Sequence, residues 1–521
     1  MSPRQLRHFP ELRSVAEIPA FHAGMQPNTA AILCAGKVLS YAELDRASSK
    51  LARALLAEGV RQGERVAFLG KESVDYYVAF FGCARAGAVL VPINFRLTSH
   101  EVGHILRDSG SRVLLVDRDL AEVVRPLLPE LPELRVIGLD RLGEWISPYP
   151  DTAPSRWADP EQPVVQLYTS GTTGLPKGVV LAQRSFFAIR DALADRGLTW
   201  IDWREDDRNL IGIPGFHVGG IWWATQAFAA GVTNIAMPRF DSAEAVRLIH
   251  GHGVTTVCVV PSMLRLLLAE PDVDAETFRS VRKVVYGGSP IAEALLREAL
   301  PVLDCDFAQI YGLTETGNTA VCLPPADHDP RLGRLRAAGR AYPGVQIKII
   351  DPDGAELPPG EVGEVCLRTP ARMVEYWRLP EATERTLREG WVHTGDAGHL
   401  DADGYLFIQD RLKDMIIVGG ENVYPTEIEN VLAQHPGVAD SAVVGVPDDR
   451  FGEAVHAFVA RRPGEQVGPR ELLSLCTERL AGFKIPRRFE FVERIPRNPS
   501  GKILRRELRD PFWSTKDRQV N

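Results

Sequence analysis

Cysteine is scarce in this sequence, and its distribution excludes several classes of protein. The seven cysteines among 521 residues are scattered singly, with no CxxC pair and no dense framework. They stand at positions 34, 83, 258, 305, 322, 366 and 476. This distribution disfavours both a disulfide scaffold and a structural zinc site, and it predicts reduced thiols in a cytoplasmic protein.

Long apolar runs and an excess of positive charge are also missing. No run approaches the roughly 18 apolar residues that a membrane span needs, and residues 1–19 lack the apolar core of a signal peptide. The net charge of −8 offers no general attraction to nucleic acid or to anionic membranes. We therefore expect a cytoplasmic protein with no nucleic-acid partner and no transmembrane segment. Peripheral membrane attachment and a homodimer both stay open.

A loop rich in glycine and hydroxyl groups lies between the apolar runs 164–168 and 179–181. Backbone N–H groups brought close by glycine, hydroxyl donors and a lysine together suit a phosphate. It is not a Walker A loop, because Pro176 stands five residues after Gly171 and no Ser or Thr follows a Gly-Lys pair. A plain surface turn is the alternative. The candidate phosphate ligands are Thr169, Ser170, Gly171, Thr172, Thr173, Gly174 and Lys177.

The pattern along the chain predicts an α/β fold. A chain of 521 residues is too long for one ordinary core, so two or more domains are expected. Short apolar runs alternate with amphipathic stretches over roughly the first 400 residues, which indicates βαβ units. We predict a large N-terminal domain of βαβ-rich sheets at residues 1–410, a hinge at 411–413, and a small mobile α+β C-terminal domain at 414–521.

Three further segments follow the loop in a fixed order. They are Tyr311-Gly312-Leu313-Thr314-Glu315-Thr316, then Gly395-Asp396, and finally Gly501-Lys502 in a basic stretch. With the loop, these segments resemble the signature of the adenylate-forming superfamily, which includes acyl-CoA synthetases, nonribosomal peptide adenylation domains and firefly-type luciferases. The resemblance extends from about Leu39 to Leu508 and therefore covers nearly the whole chain.

The chemistry of these side chains agrees with nucleotide binding. The ring of Tyr311 can stack on adenine, Thr314 can bond phosphate, and the Glu315 carboxylate suits Mg²⁺. The resemblance implies that Lys502 bridges the substrate carboxylate and the α-phosphate. Plainer alternatives are a helix N-cap at Thr314, a simple turn at Asp396 and a solvated basic surface around Lys502. The resemblance also implies that Asp396 and Arg411 bind the ribose. It implies further nucleotide contacts at Gly288, Ser289, Pro290 and Gly312.

The resemblance also implies that the C-terminal domain rotates between two half-reactions. The hinge corresponds to Lys413, two residues after Arg411. After rotation, Gly419 and Gly420 would line the tunnel for the pantetheine arm of CoA, because glycines allow close backbone approach. A lysine that many relatives carry six residues after Arg411 is replaced by Ile417, so no role for that lysine applies here.

The acyl pocket is assigned by the same resemblance. His217 would gate the carboxylate site, while Trp223 and Ile310 would add bulk and narrow the pocket. A satisfied core histidine and simple helix packing by the tryptophan both stay open as alternatives.

These expectations combine into an ATP-dependent carboxylic acid–CoA ligase that works in two steps through an acyl-adenylate. It would use ATP, Mg²⁺ and CoA, and release AMP and diphosphate. The predicted acid is a medium- or long-chain fatty acid, with an aryl or arylpropenoic acid as the alternative. A stand-alone enzyme that loads a carrier protein is the alternative for the acceptor. Lys502, Thr314 and His217 are the predicted catalytic residues.

Overall fold

The computed structural model describes residues 6–154, 159–169, 176–271, 273–419, 421–448, 450–498 and 501–513. Some predicted site residues lie outside these ranges: Ser170, Gly171, Thr172, Thr173, Gly174 and Gly420.

The strands and helices of the described residues follow in chain order. The strands are β1 Ala30–Cys34, β2 Lys37–Ser40, β3 Arg65–Leu69, β4 Val89–Ile93, β5 Val113–Val116, β6 Arg135–Gly138, β7 Pro163–Thr169, β8 Lys177–Ala182, β9 Arg208–Ile211, β10 Thr233–Ala236, β11 Thr256–Val259, β12 Lys283–Gly287, β13 Asp306–Tyr311, β14 Val321–Leu323, β15 Arg340–Ala341, β16 Gln346–Ile350, β17 Gly363–Arg368, β18 Glu375–Tyr376, β19 Leu387–Arg388, β20 Trp391–Leu400, β21 Leu406–Arg411, β22 Ile416–Val418, β23 Glu421–Val423, β24 Val438–Asp448, β25 Gly452–Arg461 and β26 Arg488–Val492. The helices are α1 Ile18–Met25, α2 Tyr41–Ala57, α3 Val74–Ala86, α4 Ser99–Ser109, α5 Ala121–Val124, α6 Leu142–Ile146, α7 Arg184–Asp195, α8 Val218–Ala230, α9 Ser242–His252, α10 Pro261–Leu268, α11 Glu293–Leu303, α12 Pro380–Thr386, α13 Pro425–Leu432, α14 Pro469–Arg479 and α15 Arg505–Trp513.

Two large sheets with parallel centres form most of the chain. One has the order β15-β14-β13-β12-β11-β9-β10-β1-β2, and its strands from β13 to β1 are parallel. The other has the order β18-β8-β7-β4-β3-β5-β6, and its strands from β7 to β6 are parallel. Strands β3, β4 and β12 are buried along their whole length, as expected for parallel strands covered by helices. The predicted α/β fold class is confirmed.

Two smaller sheets follow along the chain. Strands β16, β17, β20 and β19 pair in that order, with β21 beside β20, and all these pairs are antiparallel. The last sheet has the order β23-β22-β25-β24, and β26 pairs with β25. Its buried residues, from Ile416 to Cys476, form a hydrophobic core separate from the main core. The exact boundary at residues 411–413 stays a prediction.

Helix α2 shows how the local sequence sets an element. Ser40 and Glu43 form a capping box, in which the Ser40 N–H donates to Glu43 Oε2 over 2.8 Å. Leu44, Leu51 and Leu55 lie on one buried face, at helical spacing. Within the described ranges, none of the helices combines the length and the apolar character that a membrane span requires.

Candidate functional site

A cavity of about 520 Å³ is lined by residues from the large sheet that contains β12 and β13, from the sheet that contains β20 and β21, and from the C-terminal part of the chain. The end of β12 contributes Gly288, Ser289 and Pro290, and the end of β13 contributes Ile310, Tyr311 and Gly312. Asp396, Arg411, Asp414 and Lys502 also line the cavity. The structure therefore brings eight of the predicted nucleotide residues into one cavity, because parallel strands that end in loops converge at one edge of a sheet. Of the other described ones, Thr169, Lys177 and Thr314 do not line it.

Asp396 contacts two other predicted nucleotide residues in this cavity, Arg411 and Tyr311. It lies directly opposite Arg411 in the antiparallel pair β20 and β21. Arg411 Nε lies 2.7 Å from its Oδ1, and the Tyr311 hydroxyl donates to its Oδ2 over 2.6 Å. Burial raises the pKa of Asp396, while Arg411 and the Tyr311 hydroxyl act against that rise. The phenol of Tyr311 is thus held by Asp396, which fixes its ring in the cavity wall.

Tyr376, which the sequence did not single out, contacts both Glu315 and Lys177. The Tyr376 hydroxyl donates to Glu315 Oε1 over 2.6 Å, and Lys177 Nζ lies 5.2 Å from the centroid of the Tyr376 ring. The alternative of an N-cap at Thr314 is wrong, because the short 3₁₀ helix Thr314–Thr316 is preceded by Leu313 as its cap residue. No motif marks Tyr376; only its position in β18 beside β8 brings it here.

Lys502 enters the cavity from the C-terminal part of the chain. Its loop closes on itself, because Lys502 N–H donates to Asn498 Oδ1 and Asn498 N–H to the Lys502 carbonyl, both over 2.8 Å. Burial, and then the nearby Arg411 charge, lower the pKa of Lys502 to about 8. A Cβ on Gly501 (φ +79°) would lie 2.4 Å from Ser262 Oγ, so glycine lets this loop approach α10.

An ion-pair chain fastens the same loop to the large sheets. Arg497 contacts both carboxylate oxygens of Asp440, over 3.0 and 2.9 Å. Arg265 of α10 lies 3.5 Å from Asp440 Oδ1 and also donates to the carbonyl of Ala439. The C-terminal sheet is thereby held with Lys502 facing Asp396.

The predicted gate residue, His217, is the cap residue of α8. Burial and the Arg96 charge lower its pKa to about 4, so the imidazole is neutral near pH 7. Its Nε2 has no hydrogen-bond partner among the described residues. Trp223 is buried, and its ring centroid lies 4.7 Å from that of Trp203, which agrees with helix packing. Among the described residues, only Ile310 of the predicted acyl pocket also lines the 520 Å³ cavity.

A buried carboxyl that sequence reasoning missed supports the His217 segment. Glu72 accepts the Gly215 N–H over 2.9 Å and the hydroxyl of Tyr77. The Tyr76 hydroxyl donates to the Gly215 carbonyl over 2.9 Å, so both polar groups of this peptide position are held. Burial raises the pKa of Glu72 to about 7. Its signal in the sequence is weak: a carboxylate three residues after the apolar strand β3.

Lys413 of the predicted hinge and Gly419 of the predicted tunnel do not line the cavity. Lys413 is exposed in a 3₁₀ helix, Leu412–Asp414, between β21 and β22. Gly419 (φ +61°) donates its N–H to the Phe451 carbonyl over 2.8 Å and does not line the cavity. Their roles stay predictions.

Comparisons with known proteins agree with this geometry. The family model described as AMP-binding enzyme matches residues 20–377, and that of the AMP-binding enzyme C-terminal domain matches residues 427–502. A fatty acid–[acyl-carrier-protein] ligase, ScoC from Streptomyces coeruleorubidus, is 60% identical over 515 residues, which cover 99% of each chain. A feruloyl-CoA synthase from an Amycolatopsis species is 37% identical over 507 residues, covering 95% of this chain and 98% of the other.

Solved structures share the whole architecture. The ATP-bound structure of MatB from Rhodopseudomonas palustris has a TM-score of 0.88 at 31% identity, covering 96% of this chain and 100% of that chain. The apo structure of MatB covers the same shares at 31% identity, with a TM-score of 0.78. The arrangement of this chain is thus more similar to the ATP-bound structure.

Proposed function

Because this chain belongs to the family of AMP-binding enzymes, we propose that it adenylates a medium- or long-chain fatty acid and transfers the acyl group to a pantetheine thiol. The broader activity follows from the family, as the sequence predicted: the protein is an ATP-dependent acid–thiol ligase. The observation that carries the proposal is the placement of Lys502 beside Asp396 and Arg411 in one cavity.

In the first step, a carboxylate oxygen of the acid attacks the α-phosphorus of ATP. The bond to the β-phosphate breaks, and its electron pair leaves with diphosphate. Lys502 supplies a cation where negative charge develops on the phosphoryl oxygens. Asp396, oriented by Arg411, accepts hydrogen bonds from the ribose hydroxyls, and Lys177 attracts the departing diphosphate.

Mg²⁺ fits the surroundings of Glu315. The Tyr376 hydroxyl fixes one oxygen of this carboxylate at 2.6 Å, while Oε2 accepts no hydrogen bond from a described residue. A hard carboxylate oxygen is the kind of ligand that Mg²⁺ prefers. When bound, the ion would offset charge on the phosphates, and Glu315 would hold it near Lys177.

In the second step, the pantetheine thiol gives up its proton to solvent and its sulfur attacks the acyl carbonyl carbon. The bond to the phosphate oxygen then breaks, and AMP leaves as the carbonyl re-forms. Gly419 lies outside the nucleotide cavity. We therefore propose that the C-terminal sheet rotates about Lys413 to bring Gly419 to the acyl-adenylate.

Separate assays of the two half-reactions test this division of work. Lys502→Ala should lower acid-dependent exchange of diphosphate into ATP by at least about 100-fold, because one charge-stabilising donor is worth that much. Thioester formation from supplied acyl-adenylate should stay near the wild-type rate. Lys484→Ala is the matched control, since Lys484 pairs with Glu427 over 2.8 Å outside the catalytic groups. Equal losses in both half-reactions of a folded Lys502→Ala protein would contradict the proposal.

The acceptor is decided by a direct comparison. We favour a carrier-protein thiol because the 60% identical relative is a fatty acid–[acyl-carrier-protein] ligase. CoA is the second candidate, because the 37% identical relative is a feruloyl-CoA synthase. Release of AMP should have a higher kcat/KM with a phosphopantetheinylated carrier protein than with CoA. A higher kcat/KM with CoA would assign CoA as the acceptor.

The acid itself is tested with a panel of carboxylates. Octanoate, decanoate and dodecanoate should support diphosphate exchange better than ferulate or benzoate. Preference for the aromatic acids would instead favour the aryl alternative that the feruloyl-CoA synthase suggests.

A further inference from the structure

Three metal-ligating side chains meet on one face of the sheet that contains β17 and β20. Cys366 of β17 lies directly opposite His393 of β20 in antiparallel register. Glu364 stands two residues before Cys366, so strand alternation directs it to the same face. Their donor atoms all lie within 4.8 Å of one another. The group is separate from the nucleotide cavity, whose wall includes none of the three.

Two of the three distances between the donors are close to those around a single tetrahedral ion. Cys366 Sγ lies 3.6 Å from His393 Nδ1, and that nitrogen lies 3.1 Å from Glu364 Oε2. Zinc bonds of about 2.3 Å to sulfur and about 2.0–2.2 Å to nitrogen or oxygen put neighbouring tetrahedral donors roughly 3.3–3.6 Å apart. Small side-chain movements therefore suffice to bring all three donors onto one ion.

A further contact orients the carboxylate for this purpose. The Gly395 N–H donates to Glu364 Oε1 over 3.1 Å, which leaves Oε2 turned toward His393. Hydrogen bonds of this kind from outside a metal site commonly hold its ligands in position. The side chains of His393 and Glu364 keep 13% and 23% of their exposure, so an ion can reach them from solvent.

We propose that Glu364, Cys366 and His393 form a site for a thiophilic divalent cation such as Zn²⁺, with water at the fourth position. The thiol proton passes to solvent as the sulfur–metal bond forms, and thiolate and carboxylate together neutralise the two charges of the ion. Sulfur and imidazole select Zn²⁺ or Cd²⁺ over the hard Mg²⁺ assigned to Glu315.

Nearby cations leave room for the ion. Lys348 is the cross-strand neighbour of Cys366 on β16, but its Nζ lies 4.6 Å from the centroid of the Trp391 ring and is held there. Arg388 lies on the neighbouring strand β19, and its Nε donates to the carbonyl of Arg385 over 3.1 Å. Cysteine spacing alone had disfavoured a zinc site, because these donors come from two strands rather than from one motif.

Titration of the tag-free, full-length protein with Cd²⁺ alone tests the site. One Cd²⁺ per chain should produce the ultraviolet thiolate-to-cadmium charge-transfer band. Cys366→Ser should lose the band, whereas Cys305→Ser, which removes a partly exposed thiol elsewhere, should keep it. An unchanged band in Cys366→Ser, or no band in the wild type, would overturn the proposal.

The imidazole provides a second test that does not alter the buried thiol. His393→Gln should weaken Zn²⁺ binding at least about tenfold in calorimetry with Zn²⁺ alone. His435→Gln is the matched control, because His435 also lies beside a carboxylate, 3.6 Å from Glu471. Thermal unfolding checks that the variants are folded. If Cys366→Ser fails to fold, equal Zn²⁺ affinities of the two histidine variants would by themselves overturn the site.

Discussion

At the scale of single residues, burial sets the chemistry of the site. Lys502 and Glu72 have pKa values displaced toward neutrality by burial, to about 8 and about 7. Tyr311, Asp396 and Lys502 were predictable, because each lies in a segment that carries the family resemblance, and that resemblance also implied Arg411. Glu72 was not, because its partner Gly215 lies 143 residues away in the sequence.

The pKa of Lys502 predicts an alkaline limit to adenylation. The Lys502 side chain is charged below pH about 8 in the free protein, and this charge is lost as the pH rises through that value. The kcat/KM for ATP in diphosphate exchange should therefore fall above pH about 8, since this parameter reports the free enzyme. Lys502→Arg should have a lower maximum but no such fall, because arginine stays charged up to pH about 12.

The control for this profile is Lys484→Arg, which changes a lysine paired with Glu427. It should keep the wild-type pH dependence. An unaltered alkaline limb in Lys502→Arg would assign that limb to another group.

Glu72 predicts a pH-dependent stability. Burial raises its pKa from 4.5 to about 7, so the native state keeps this proton longer than the unfolded state does. The associated stability is complete below pH 4.5 and is lost as the pH rises through about 7. Glu72→Gln, which cannot ionise, should flatten the decline in the free energy of unfolding between pH about 5 and 8, by an amount on the order of 1–3 kcal/mol.

Urea unfolding at a series of pH values measures this effect. Glu58→Gln, at the end of α2, is the control and should follow the wild-type curve. Parallel curves for wild type and Glu72→Gln would refute the assignment.

At the scale of elements, strand register places the pair that we propose to bind ribose. Apolar runs predicted the buried strands, but they could not predict that Asp396 of β20 lies opposite Arg411 of β21. The register also shifts between Ala397 and Gly398, an irregularity that no periodicity in the sequence announces. Directly after β21, the chain enters the short 3₁₀ helix that contains Lys413.

Stiffening this short helix should separate the two half-reactions. Lys413→Pro fixes one φ angle and restricts the preceding residue, so it should hinder rotation of the C-terminal sheet. Thioester formation from acyl-adenylate should fall at least about tenfold, which corresponds to an activation free energy higher by about 1.4 kcal/mol. Diphosphate exchange should change much less. Lys413→Ala, which removes the charge but not the backbone freedom, should behave like the wild type in both assays; equal behaviour of the proline variant would argue against a hinge here.

At the scale of the whole molecule, two separate hydrophobic cores meet across the nucleotide cavity. The contacts described above between α10 and the C-terminal part of the chain are mainly polar. They are the ion pairs Arg265–Asp440–Arg497 and the approach of Gly501 to Ser262. A polar interface of this kind is typical of domains that move relative to each other. A homodimer stays an untested prediction.

Weakening this polar interface should slow adenylation but not thioester formation. Arg265→Ala removes an ion pair whose arginine side chain is 41% exposed, so the expected cost is modest, about 0.5–1 kcal/mol, or a two- to fivefold lower kcat/KM in diphosphate exchange. Thioester formation from acyl-adenylate should not fall. Arg247→Ala, which breaks an exposed helical pair with Glu244, is the control. An equal loss in thioester formation and in diphosphate exchange would contradict the proposal that Arg265 acts only in the domain arrangement used for adenylation.

The sequence by itself determined the class of fold and the order of the motifs, because apolar runs and short motifs are properties of neighbouring residues. The resemblance of those motifs to a known family then implied the acid-activating chemistry. Only the tertiary structure decided that Tyr311 fixes Asp396, that Tyr376 joins Glu315 to Lys177, and that Glu72 holds Gly215. These contacts connect residues 61 to 199 positions apart. Their geometry depends on how whole sheets pack and register, and local sequence does not encode that packing separately.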